Sequence, residues 1–234
     1  MPEIVSQYIE LHVEDGTTMR AWFALPENGT PKAGLMVFQE AFGVNSHIRD
    51  VTERFAKLGY AALAPELYHR IAPGFEGRYD DIASALPIAK QTTTPGLQSD
   101  VRASHRFLLG RFGDRIACVG YCMGGRVSFL ANAIVPLKAA ISYYGAATGD
   151  TLALAGKSSA PMLFFWGGQD QHIGSEQRQQ VSEGMQASPK PWLEVTFSDA
   201  EHGFFCDQRS SYNPRAAQLS WTLSLSFLDQ YLSQ

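Results

Sequence analysis

Three residues able to do covalent chemistry stand far apart in this chain: Cys122 in VGYCMGG, Asp170 in FFWGGQD and His202 in DAEHGFF. Cys122 lies at the centre of a G-x-C-x-G run, between an apolar stretch, Arg115 to Val119, and a helical pattern from Met123. A strand that turns sharply into a helix among small residues is the setting of a nucleophile elbow, here with cysteine where serine is usual. The helix dipole and the N–H groups at a helix start favour the thiolate, which is the attacking form. The N–H of Met123 is aimed where an oxyanion would form. A cysteine nucleophile needs a base, and Asp170 and His202 each follow a predicted strand, acid first and histidine second. In an open α/β sheet the loops after the strands share one edge, so the three side chains are expected to converge there. His202 would move protons at the sulfur and the leaving group, while Asp170 would orient the ring and stabilise its charged form. Asp199, just upstream of His202, is the rival acid. His47, His69, His105 and His172 lack a strand-end position and a paired acid, and read as surface or packing residues.

The elements that must carry these residues follow from periodicity. Two alternating segments, Ile4 to Val13 and Met19 to Leu25, flank Asp15-Gly16 and predict an antiparallel hairpin. Gly34 to Phe38 and Tyr60 to Ala64 are short apolar runs of the kind a strand buried on both faces requires. Between them Ile48, Val51, Phe55 and Leu58 recur at helical spacing, with Asn45 or Ser46 as the cap. A helix over 97–112, strands over 115–119, 139–144, 162–166 and 193–197, and helices from Met123, over 176–186 and from Pro214 to Tyr231 continue the alternation. The pattern predicts an α/β fold with a mostly parallel central sheet, helices on both faces and an N-terminal antiparallel hairpin. One domain is expected over residues 1–234. Tyr68 to Pro95, with Pro73-Gly74 and Gly77, is long for a connector and reads as a cap or substrate-facing excursion.

Bulk composition narrows the function. A net charge of −4 without a basic run excludes the electrostatic footprint of a nucleic-acid binder. No segment approaches the roughly 18 apolar residues that span a bilayer, and the acidic N-terminus does not read as a secretory signal, so a cytoplasmic protein without membrane partners is expected. Three cysteines, Cys118, Cys122 and Cys206, match neither a disulfide framework nor a zinc site.

Val37 to Tyr68 (VFQEAFGVNSHIRDVTERFAKLGYAALAPELY), VGYCMGGR, AISYYG, GGQD and EHGFFCDQRSSYNPRAA occur in an order that resembles the dienelactone hydrolase (carboxymethylenebutenolidase) family, within the α/β-hydrolase fold. The resemblance covers nearly the whole chain after the first hairpin. It implies that Cys122, Asp170 and His202 occupy the triad positions and that Glu40, in QEAFG, matches the glutamate that takes the thiol proton when substrate arrives. The second oxyanion donor would then be the Ala41 N–H. The family's original members bind a substrate carboxylate with two arginines, for which Arg78 and Arg209 are candidates. Arg78 lies in GFEGRYDDI, which matches the family poorly, and Arg209 could equally pair with Asp207 or face solvent. Tyr144, ending the strand in YYG, is a pocket-lining or core aromatic. The implied reaction is thioester-forming hydrolysis of a small activated ester or lactone, such as an enol lactone, with no metal or organic cofactor, by a monomer or homodimer. The alternatives are a promiscuous carboxyl, aryl or phosphotriester esterase without carboxylate recognition, a non-catalytic binding protein, and a redox sensor using Cys122 and Cys206.

Overall fold

The computed structural model describes residues 3–233. Its contacts gather into two compact units that divide between Cys118 and Val119. In the first, β1 (Ile4–His12) and β2 (Thr18–Pro26) form an antiparallel hairpin in register from Ile4 opposite Pro26 to His12 opposite Thr18. β3 (Ala33–Phe38) and β4 (Tyr60–Pro65) are buried at every position and pair in parallel. β2 pairs with β4 antiparallel, which gives the order β1-β2-β4-β3. The continuous apolar runs thus became interior strands, and the alternating ones became the hairpin, because a strand with one wet face needs a polar residue at every second position.

α1 (Ser46–Lys57) joins β3 to β4, and Asn45 caps it by accepting the Ile48 N–H at 3.2 Å. Ile48, Val51 and Phe55, the residues that predicted it, are its buried stripe. The span 68–95 is more ordered than its composition suggests. It contains α2 (Ile82–Ala89), capped by Asp81, before α3 (Thr94–Phe112), capped by Thr93. α2 leaves little periodic signal because it buries only Ala85 while Ile82 and Leu86 face outward, and Pro87 lies inside it. β5 (Ile116–Tyr121), wholly buried, crosses the division between the units.

The second unit alternates α4 (Met123–Ile134), β6 (Ala139–Tyr143), β7 (Met162–Gly167), α5 (Ser175–Met185), β8 (Trp192–Phe197) and α6 (Pro214–Leu232). β6, β7 and β8 are adjacent and parallel. Two details depart from expectation. Tyr144 does not end a strand: β6 stops at Tyr143, and Tyr144 takes φ 38°, so the chain has already turned. A 3-10 helix, Thr148–Lys157, follows where no element was foreseen. Among the described residues no helix is long and apolar enough to cross a membrane.

Candidate active site

Cys122 occupies the single residue between β5 and α4, at φ 54° and ψ −117°. That left-handed backbone costs a non-glycine residue about 1–3 kcal/mol and persists only where neighbours over-determine it. Here they do. The Cys122 N–H donates to the Tyr143 carbonyl at 3.0 Å, while its own carbonyl accepts from Gly125 at 2.9 Å and Ala146 at 3.2 Å. A side chain at Gly120 would run into the Gly124 carbonyl, which is why the turn needs glycine there. The thiol is left half-buried at the turn, whereas Cys118 and Cys206 are buried. Met123 is the first residue of α4, in the turn whose N–H groups have no partner within the helix.

Asp170 and His202 lie on the loops after β7 and β8. Asp170 Oδ1 accepts the N–H groups of His172 at 2.7 Å and Ile173 at 2.9 Å, and its Oδ2 accepts from His202 Nδ1 at 2.7 Å. The two loops are tied by the Gln169 N–H, which donates to the Ala200 carbonyl at 2.9 Å. Arg178 of α5 closes the acid loop by donating from one nitrogen to the carbonyls of Gly167 at 3.1 Å and Ile173 at 3.0 Å. Burial by itself would raise the Asp170 pKa, but the His202 ring and the two backbone donors outweigh it and hold the carboxyl below its usual range. Burial likewise opposes charge on His202. The Cys122 sulfur and the Asp170 carboxylate overcome it, through charge and a hydrogen bond from each, and lift the ring's pKa to about 10. The ring thus favours its charged form, with Nδ1 bonded to Asp170 and a second hydrogen bond to the Cys122 sulfur. Such an arrangement can move a proton between the sulfur, the ring and a leaving group.

Asp199 is committed elsewhere: both its oxygens accept from Arg215 Nη2 at 2.7 Å, so Asp170 rather than Asp199 meets the histidine. The Tyr144 ring packs 5.1 Å from His202 and is fully buried. Arg209 lays its guanidinium against Gly203, the residue after His202. Arg78 is 80% exposed and grips Asp80 through two bonds of 2.9 and 2.6 Å, as a surface ion pair would. Glu40 and Ala41 follow β3 and are buried. The Glu40 Oε2 accepts from the Tyr79 hydroxyl at 2.8 Å.

Sequence reasoning read His172 as a surface or packing residue and passed over Tyr79 and Arg178. His172, two positions after Asp170, sets its ring edge-on to His202 at 5.2 Å; its proximity to the acid was the available signal. Tyr79 and Arg178 carried no motif. His69, read as lacking an acid, lies 3.9 Å from Asp100 because α3 returns across the chain after β4.

The model of the "Dienelactone hydrolase family" matches residues 19–232. A protein of Synechocystis sp. provisionally named a carboxymethylenebutenolidase is 36% identical over 200 residues, covering 80% of this chain and 81% of its own. The crystal structure of a protein from Klebsiella pneumoniae, provisionally named a dienelactone hydrolase, superposes with a TM-score of 0.88 at 28% identity, covering 98% of this chain and all of that one (100%). A dienelactone hydrolase-like promiscuous phosphotriesterase from metagenomic libraries shares the fold at 21% identity, with a TM-score of 0.85 and coverage of 97% of this chain and 98% of its own. The fold is that of the α/β-hydrolases, a mostly parallel sheet with helices on both faces and an antiparallel N-terminal hairpin, and the protein is a hydrolase acting on esters or lactones. The chain belongs to the dienelactone hydrolase family.

Proposed function

We propose that the chain hydrolyses a small activated ester or lactone, of the enol-lactone type, through a Cys122-His202-Asp170 triad. The observation that carries this reading is the His202 ring, hydrogen-bonded to both the Cys122 sulfur and the Asp170 carboxylate beside a strained elbow. The thiolate attacks the carbonyl carbon, and the Met123 and Ala41 N–H groups receive the charge that gathers on its oxygen. As the carbon–oxygen bond to the leaving group breaks, the enolate departs and takes its proton from His202, leaving a thioester on Cys122. His202, now neutral, accepts a proton from water as the hydroxide adds; the sulfur–carbon bond then breaks, and the product acid leaves thiolate and imidazolium restored. That thiolate forms when Glu40 takes the proton of the resting Cys122 thiol as substrate arrives, leaving the sulfur paired with His202, and the carboxyl returns the proton to the sulfur once product has left. An enolate leaves far more readily than an amide nitrogen, which suits a thiol nucleophile to activated esters. Mixing enzyme with p-nitrophenyl acetate and quenching within a turnover should yield a Cys122 peptide heavier by one acetyl group. Turnover that continues in Cys122→Ala would end the proposal.

The exposed Arg78–Asp80 pair favours a second reading, in which the site takes neutral carboxyl or aryl esters without a carboxylate clamp. A panel of neutral and carboxylated activated esters, repeated with Arg209→Ala, separates the two. A clamp predicts that the substitution raises KM for carboxylated substrates alone. We also propose that residues 1–234 act as one hydrolase domain.

A further inference from the structure

The first residues after β3 and the start of the 68–95 excursion are locked together. The Gly77 N–H donates to the Phe42 carbonyl at 2.8 Å. Gly43, at φ 78°, approaches the Phe75 carbonyl so closely that a Cβ would strike it. The Tyr79 ring stands edge-on to Phe42 at 4.6 Å, and its hydroxyl reaches Glu40 Oε2 at 2.8 Å. Glu40 is fully buried at 0% exposure, whereas Tyr79 is half-buried. A phenol donating to one oxygen fixes the plane of the carboxylate and leaves the other oxygen to face its own partners. Arg78, the neighbour that the family resemblance brought forward, turns outward to Asp80, whereas Tyr79 reaches Glu40.

We propose that Tyr79 is a positioning residue for Glu40: its hydroxyl aims the carboxylate that accepts the thiol proton, and the 75–79 clip to Phe42 and Gly43 keeps that hydroxyl in place. The inference rests on the reading of Glu40 given above. Because the phenol acts on a proton transfer rather than on substrate binding, its loss should appear in kcat and leave KM nearly unchanged.

The experiment is a double-mutant cycle of Tyr79→Phe and Glu40→Gln with p-nitrophenyl acetate, together with the thermal midpoint of each variant. Phenylalanine keeps the ring that packs on Phe42 and removes the hydroxyl alone. Tyr79→Phe should lower kcat about tenfold, the scale of one hydrogen bond to a charged group, with KM within about twofold and the midpoint within a few degrees. In the Glu40→Gln background the same substitution should change kcat by less than about twofold, because the carboxylate it served is gone. The inference is overturned if Tyr79→Phe leaves kcat at the wild-type value, or if it lowers kcat equally in both backgrounds. A Glu40→Gln enzyme of full activity would instead overturn the role of Glu40 itself. Rapid alkylation of Cys122 by iodoacetamide, mapped by peptide mass, gives a substrate-free readout: slower labelling in Tyr79→Phe supports the positioning role, and unchanged labelling counts against it.

Discussion

Cys122 and Asp170 together favour the protonated form of His202, against the cost of burying a charge. Its folded pKa of about 10 lies above its ordinary 6.5, so the ring's contribution to stability is complete below pH 6.5 and disappears as pH rises through 10. Nitrogen-15 spectra of the imidazole should show titration near pH 10 in the wild type, and at a value lower by about one unit or more in Cys122→Ala, which removes the largest influence that raises it. An unmoved titration would mean that the sulfur does not share in holding the proton. The two aspartates make a second contrast. Asp170→Asn should cut kcat by ~10⁴, the loss seen when a triad acid can no longer fix the ring's tautomer. Asp199→Asn breaks an exposed pair with Arg215 and should stay within about twofold. Asp170 was legible in the sequence because acid and histidine each end a strand. Tyr79 was not, since nothing local marks a tyrosine that meets a carboxylate 39 positions away.

Between elements, the link with most at stake is Arg70. Its guanidinium binds Asp100 of α3 through bonds of 3.0 and 2.8 Å and Asp15 of the β1–β2 turn at 2.7 Å. Thr17 of the same turn meets His69 at 2.9 Å. The Asp100 side chain is fully buried at 0% exposure, and burial pushes its pKa up to about 6 even though Arg70 pulls it down. Arg70→Ala strands that carboxylate and should cost about 3 kcal/mol in urea unfolding at pH 7.5. The folded carboxyl binds a proton more readily than the unfolded one, and more readily still without Arg70, so the variant's deficit should shrink as pH falls from 7.5 toward 6 and level off below it. Replacing both partners, as Arg70→Met with Asp100→Leu, should recover most of the loss. No recovery at low pH, or none from the double variant, would show that the cost lies in packing rather than in the buried charge. None of this could be read from the sequence, where Asp15, Arg70 and Asp100 look like solvated charges. Strands, by contrast, announce themselves: β3, β4, β5 and β7 are apolar throughout because both their faces are covered. The 3-10 helix Thr148–Lys157 and α2 were missed for the complementary reason, since elements that bury only a few residues leave no periodic mark.

At the scale of the whole chain, the division between Cys118 and Val119 falls inside β5. Domain boundaries are ordinarily exposed linkers rich in polar residues, glycine or proline, where few contacts cross. A six-residue strand with every position buried is the opposite of a linker. Neither unit holds an intact β5 without the other, and Cys122 follows directly from that strand's end. The proposal of one domain therefore makes a thermodynamic claim: the units should melt together. Scanning calorimetry should give a single transition whose calorimetric and van't Hoff enthalpies agree, with loss of esterase activity coincident with it. Chains of this length can depart from two-state behaviour through a populated intermediate, so the deciding comparison is Val119→Asp, which buries an unpaired charge at the division. If the chain is one domain, that substitution lowers the midpoint of the single transition. Two separated transitions in the wild type, or a variant in which only one of two transitions moves, would show that the halves fold independently and that β5 joins two domains rather than running through one.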